Sequence, residues 1–106
     1  MEPLDILKKA RKLIEKPENW TRGQYSKWSE DGREPIAFCA VGACKHSVEK
    51  TGRGNRQSGE VVDLLRDNLP PQYKEFNRGI FCFNDTHTHE EVLDLFDRTI
   101  ASLENK

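Results

Sequence analysis

The chain has 106 residues, which bounds it to one small hydrophobic core. Its 17 basic and 18 acidic residues nearly cancel, and a net charge of -1 gives no overall field to steer nucleic acid or an anionic membrane onto the surface. Mean hydropathy is low at -0.83, yet 35% of the residues are hydrophobic and they are patterned, which argues against a disordered chain.

No run approaches the roughly 18 apolar residues of a membrane helix. The N-terminal stretch has no apolar segment behind a basic start, so no secretory signal is expected. Three cysteines is an odd number without the spacing of a disulfide scaffold, which favours reduced thiols and a cytoplasmic location.

Residues 3–16 read as an amphipathic helix. Ile6, Leu7, Ala10, Leu13 and Ile14 recur at three- and four-residue spacings, with Asp5, Lys8, Lys9, Arg11, Lys12 and Glu15 on the other face. Pro3 suits a first turn and Pro17 ends the helix, since proline disfavours helical geometry in the residue before it. Residues 18–35 show no sustained period. They hold Trp20, Tyr25 and Trp28 among polar neighbours, with a turn signal at Asp31-Gly32, and predict an ordered aromatic loop wrapped across the core.

From Ile36 the chain is apolar or small without a break until Lys45, and this predicts a helix over 35–49, buried on nearly all sides, around which the rest packs. Within it Gly42 costs about 1 kcal/mol of helix propensity relative to alanine. A close neighbour, with Trp20 as the candidate, is the natural reason, and Gly42→Leu is expected to destabilise by overpacking.

Residues 51–57 read as a flexible basic loop, and Ser58 as the cap of a helix running to Leu69, with Val61, Val62, Leu65 and Leu69 on one face. Pro70-Pro71 stops it. Residues 72–77 allow one further helical turn, presenting Tyr73 and Phe76 and closed by Gly79. Residues 80–83 are a short apolar run, read as a buried connector. Thr88-x-x-Glu91 matches a capping box, with Asp85 or Thr86 as the alternative cap of an earlier start, and Val92, Leu93, Phe96, Ile100 and Leu103 make the stripe of a last helix. The fold expected is mostly α: one compact four-helix domain over 1–106 around a buried central helix, with one ordered aromatic loop and at most a minor extended segment.

The chemistry-bearing residues are few. Cys39, Cys44, Cys82, His46, His87 and His89 are metal-ligand types, but no Cys-x2-Cys or His-x3-His pair occurs, and Cys39 and Cys44 fall on different helix faces. A cysteine in an apolar run is normally an inert core residue, because burial raises its pKa. Cys39 and His46 lie two helical turns apart, too far for direct proton transfer. No nucleophile-elbow or zinc-protease motif is present, so neither a catalytic residue nor a cofactor is expected.

The basic loop with Lys45, Lys50, Arg53 and Arg56 lacks the terminal Gly-Lys-Ser/Thr of a phosphate loop, which disfavours nucleic acid as a partner. Protein binding remains. Trp28 and Tyr25, with Arg22 and Arg33 nearby, have the Trp/Tyr/Arg make-up of a binding hot spot. Trp28, in Lys-Trp-Ser-Glu, is the exposed anchor and Trp20 the buried one.

Three segments taken together carry a resemblance: Trp20-Thr21-x-Gly23, Cys39-Ala40-Val41-Gly42-Ala43, and Phe83-Asn84-Asp85 ahead of a helix with Glu91-Val92. In order and spacing they resemble a family of short bacterial and bacteriophage proteins known only as a domain of unknown function, with W-[ST]-x-G, C-[AL]-x-G-A and [FW]-N-D motifs. The resemblance brings no activity, cofactor or catalytic residue with it. It implies that Trp20, Gly42, Asn84 and Asp85 form one structural constellation. Asn84 and Asp85 would cap the last helix and hydrogen-bond the loop that carries Trp20, or the same residues would floor a small pocket with Asp85 as its polar group. It also implies a phage or mobile-element setting.

The function expected is a small non-enzymatic protein-interaction module that binds and modulates a host protein. The alternative is a metal-containing or small-ligand-binding protein using Cys39, Cys82, His87, His89 and Asp85.

Overall fold

A computed structural model describes residues 2–48, 54–74 and 79–105, and of residues 54–56 the backbone. The first helix, α1, spans Pro3–Leu13. Its proline opens the helix, and Ile6, Leu7 and Ala10 are buried, followed by Ile14 just past its end. A 3-10 turn at Pro17–Asn19 reverses the chain. The expected aromatic loop is in part a β-hairpin, with strands β1 (Ser26–Trp28) and β2 (Pro35–Phe38) paired antiparallel in the register Ser26 to Phe38 and Lys27 to Ala37.

The Asp31-Gly32 turn closes this hairpin. Gly32 takes a positive φ of 70°, which a side chain would oppose. Asp31 Oδ1 accepts from Ser29 Oγ at 2.6 Å and from Arg33 N at 3.0 Å. The Ser29 hydroxyl and the Arg33 N–H together hold the Asp31 carboxyl below its ordinary pKa.

The buried central helix, α2, spans Ala40–Val48, five residues shorter at its start than its sequence predicts. Ile36 and Phe38 are β-branched and aromatic residues that suit a strand, and pairing with β1 overrides the helical reading of the apolar run. Ile36 is accordingly exposed, not part of the core. Within α2, Ala40, Val41, Gly42, Ala43, Cys44, Ser47 and Val48 are buried, leaving only Lys45 and His46 toward the outside.

The close neighbour of Gly42 is the main chain of Tyr25, where Trp20 had been expected. A Cβ at Gly42 would lie 1.9 Å from the Tyr25 carbonyl oxygen, itself the acceptor of the Cys39 N–H at 3.1 Å.

The third helix, α3, spans Gly54–Asp67, so Ser58 lies inside it, buried, and is not its cap. Val61, Leu65 and the following Leu69 are buried along one side. Of the basic loop read over 51–57, residues 54–57 are instead the opening turn of α3, and residues 51–53 lie outside the described residues.

Helix α4 (Pro71–Lys74) is one turn long. The run at 80–83, read as a buried connector, is the body of helix α5 (Gly79–Thr86), which buries Gly79, Ile80, Phe83 and Asn84. Gly79 opens this helix; a Cβ there would lie 2.0 Å from the Tyr73 carbonyl oxygen.

The last helix, α6, spans His89–Glu104 behind the expected capping box. Glu91 N donates to Thr88 Oγ1 at 3.2 Å, and Thr88 N donates to Glu91 Oε1 at 2.9 Å. That backbone bond holds the Glu91 carboxyl below its ordinary pKa. Six helices and one two-stranded sheet therefore occupy the described residues, where four helices were expected.

The core joins Ile6, Leu7 and Ile14 of the N-terminal arm, Val41, Cys44 and Val48 of α2, Val61 and Leu65 of α3, and Val92, Leu95 and Phe96 of α6. Arg11 on α1 ties down α6 by a forked ion pair to Asp97, with Nε to Oδ1 at 2.5 Å and Nη2 to Oδ2 at 3.3 Å. Among the described residues no helix is long and apolar enough to cross a membrane.

Candidate functional site

Two constellations flank α2, one polar and one aromatic. The polar one is centred on Asn84, which is only 1% exposed and so must have its hydrogen-bonding groups met inside the protein. Its Oδ1 accepts from Trp20 Nε1 at 2.8 Å and from Ala40 N at 3.1 Å, and its Nδ2 donates to Thr21 O at 3.0 Å. The Ala40 N–H is the first of α2 and has no partner within that helix. Asn84 therefore caps α2 and, by the same atom, seats the indole of Trp20. Next to it, Asp85 Oδ1 accepts from Gly23 N at 2.9 Å, and Gly23 takes a positive φ of 76°. Thr21 N donates to Phe38 O at 3.0 Å, so the loop is also pinned to β2.

Asn84 and Asp85 thus hold the Trp20 loop, but they do so from within α5, and the cap that Asn84 provides is to α2; Thr88 caps α6. Gly42 sits two residues beyond Ala40 and contacts Tyr25, not Trp20.

Arg22 belongs to this clasp as well. Its guanidinium lies 4.9 Å from the Trp20 ring centroid and donates to the backbone carbonyl of His87. The His87 ring stacks on Phe83 at 3.8 Å, with Nδ1 donating to Phe83 O at 3.0 Å. His89 donates from Nε2 to Ile14 O at 2.6 Å. One ring nitrogen of each histidine is therefore committed to a carbonyl. Cys82 is exposed while Cys39 is buried, and among the described residues no three His, Cys, Asp or Glu side chains come together as a metal site.

Cys39 immediately precedes α2, and its Sγ accepts from Gly42 N at 3.3 Å. Burial pushes its thiol pKa up against those helix N–H groups, and nearby Asp85 pushes it further the same way. Cys44 is pushed up by complete burial, with a smaller contribution from Cys39. Both shifts favour the neutral thiol over the thiolate. A cavity of about 260 Å3 lies beside Cys39, lined also by Gly23, Gln24, Tyr25, Phe81 and Asp85. Of the four residues in the constellation expected from the sequence, only Asp85 reaches it.

The aromatic constellation lies on the hairpin. Trp28 is 55% exposed, Tyr25 48% and Ile36 43%. Between the hairpin and α2 runs a groove of about 310 Å3, lined by Tyr25, Trp28, Pro35 and Phe38 on one side and Lys45 and His46 on the other, with Ser26 and Gly42 between. Lys45 Nζ sits 4.4 Å from the Tyr25 ring centroid, the Phe81 ring meets Tyr25 edge-on at 5.2 Å, and Phe38 packs on His46 at 4.8 Å.

Trp28 and Tyr25, singled out from the sequence, therefore share one surface. Arg22 does not reach it, and Arg33 stands at the hairpin tip beside Asp31. Pro35, Phe38, Lys45 and His46 were not foreseen there, because a helix starting at Pro35 would not have carried them to this groove. The available signal was the β-branched Ile36 and aromatic Phe38 directly after Pro35.

A family model described as "Family of unknown function (DUF6197)" matches residues 1–102. No curated protein and no solved structure matches the chain.

Proposed function

We propose that this chain, which belongs to DUF6197, a family of unknown function, is a small protein-interaction module that works through the exposed face of its hairpin and without chemistry of its own. One observation carries the reading: Tyr25, Trp28 and Ile36, the large hydrophobic residues left exposed among the described residues, all lie on or beside one hairpin. A small protein gains nothing in stability from an exposed indole, and clustered exposed apolar groups mark contact surfaces. Tryptophan and tyrosine are also the residues on which binding energy concentrates. In a phage or mobile element, such a module would modulate a host protein by covering part of its surface.

The test is Trp28→Ala. The variant should keep the wild-type melting temperature and helicity, because the indole is not in the core, and should lose capture of its partner from a lysate of the source cells. Recovery of the same proteins by the variant, or loss of helicity, would count against Trp28 as the anchor. A second reading, a small-ligand pocket, is favoured by the cavity beside Cys39 and Asp85. Its volume of about 260 Å3 is small beside the roughly 300–1,000 Å3 typical of ligand pockets, and its thiol is held protonated.

A further inference from the structure

The groove between the hairpin and α2 has a chemistry that narrows what would occupy it. Its apolar surface is built from rings: Trp28, Tyr25 and Phe38, with the pyrrolidine of Pro35. Tyr25 is braced between Lys45 and the edge of Phe81, so the ring is held before anything binds. Among the described residues no hydrogen bond engages the Trp28 indole N–H or the Tyr25 hydroxyl.

Rigid rings with unspent donors suit a backbone whose carbonyls are unpaired. A polyproline II segment is such a backbone: it makes no internal hydrogen bonds, presents its carbonyls outward, and loses little entropy on binding. Charge adds a second constraint. Among the described residues the groove is lined by Lys45 and His46 and by no carboxylate; the acids of the hairpin, Glu30, Asp31 and Glu34, do not line it.

Resting on the reading of the hairpin as a contact surface, we propose that this groove binds an extended, proline-rich segment of a partner protein carrying acidic residues beside its prolines. The prolines pack on Trp28, Tyr25 and Pro35. The donors of Trp28 and Tyr25 meet carbonyls of the segment, and Lys45 faces its carboxylates.

The experiment titrates the full chain with three labelled peptides: an oligoproline flanked by glutamates, the same oligoproline flanked by lysines, and a glycine–serine peptide flanked by glutamates. Fluorescence anisotropy should show saturable binding of the first and at least tenfold weaker binding of the other two. Trp28→Ala should weaken the first by at least tenfold. Lys45→Glu, at an exposed position, should reverse the preference between the glutamate- and lysine-flanked peptides.

Equal binding of the glycine–serine peptide, or no response to Lys45→Glu, would overturn the proposal. If no peptide binds while Trp28-dependent capture of a cellular protein persists, this inference falls and the contact-surface reading stands. A Trp28-dependent dimer by sedimentation without peptide binding would replace the peptide with a second copy of the chain. If neither binding nor capture depends on Trp28, both readings fall.

Discussion

Gly42→Ala should destabilise the protein by about 3 kcal/mol or more, a loss read directly from urea denaturation. Two effects of opposite sign compete at this position. Alanine is the better helix former by about 1 kcal/mol, so an unobstructed site would gain stability. The site is obstructed: the new Cβ would lie 1.9 Å from the Tyr25 carbonyl oxygen and 2.8 Å from its carbon. These are backbone atoms, held by the hydrogen bond from Cys39 N at 3.1 Å, and no rotamer change relieves the clash. Relief requires moving the start of the hairpin off α2, which the side chain of Gly42→Leu would force outright.

Gly59 supplies the control. It too is helical, but a Cβ there meets nothing within 4 Å, so Gly59→Ala should be neutral or stabilise by up to about 1 kcal/mol. Equal effects at the two glycines would refute the close approach of α2 to the Tyr25 main chain.

Asn84→Ala should cost about 3–5 kcal/mol, the second large effect, because one buried side chain meets three partners, one buried and two part-buried. Its removal strands the Trp20 indole N–H, the Ala40 N–H and the Thr21 carbonyl at once. Each buried group left without a partner costs roughly 1–3 kcal/mol, while an ordinary exposed hydrogen bond is worth about 1. The loss should be larger than that of Trp20→Phe, which forfeits only the indole donor and leaves the cap on α2 in place. A loss below 1 kcal/mol for Asn84→Ala would mean that water replaces the amide, and that α2 is not held by it.

How much of this was legible in the sequence varies by element for physical reasons. The first and last helices were readable because a 3.6-residue stripe and end signals agree: Pro3 and Pro17 for α1, Thr88 and Glu91 for α6. The apolar run starting at Ile36 was ambiguous because a fully buried segment has no polar face to set a period. Its first three residues, with Pro35, became β2 because a partner strand was available, and from Ala40 on it became α2. The run at 80–83 went the other way for the same reason: no strand lies beside it among the described residues, and it is α5.

The hairpin hid behind its polar composition, since β1 is only three residues long and its register with β2 shifts between Lys27 and Trp28. Of the candidate site, Trp28 and Tyr25 were legible as aromatics out of place in a polar stretch. Lys45 and His46 were not, because only the fold turns the outer side of α2 toward the hairpin.

The placement of function on the outside of the molecule depends on α2 being sealed, with Cys39 and Cys44 as filler between packed elements. Thiol counting tests this most directly. In folded protein at pH 8, a small alkylating reagent should modify one cysteine rapidly, Cys82, and reach Cys39 and Cys44 only at the rate of unfolding, since both are buried and both thiols are pushed up in pKa. Full denaturant should release all three cysteines to the reagent. Modification of Cys39 or Cys44 in the native state at a rate comparable to Cys82 would contradict the account.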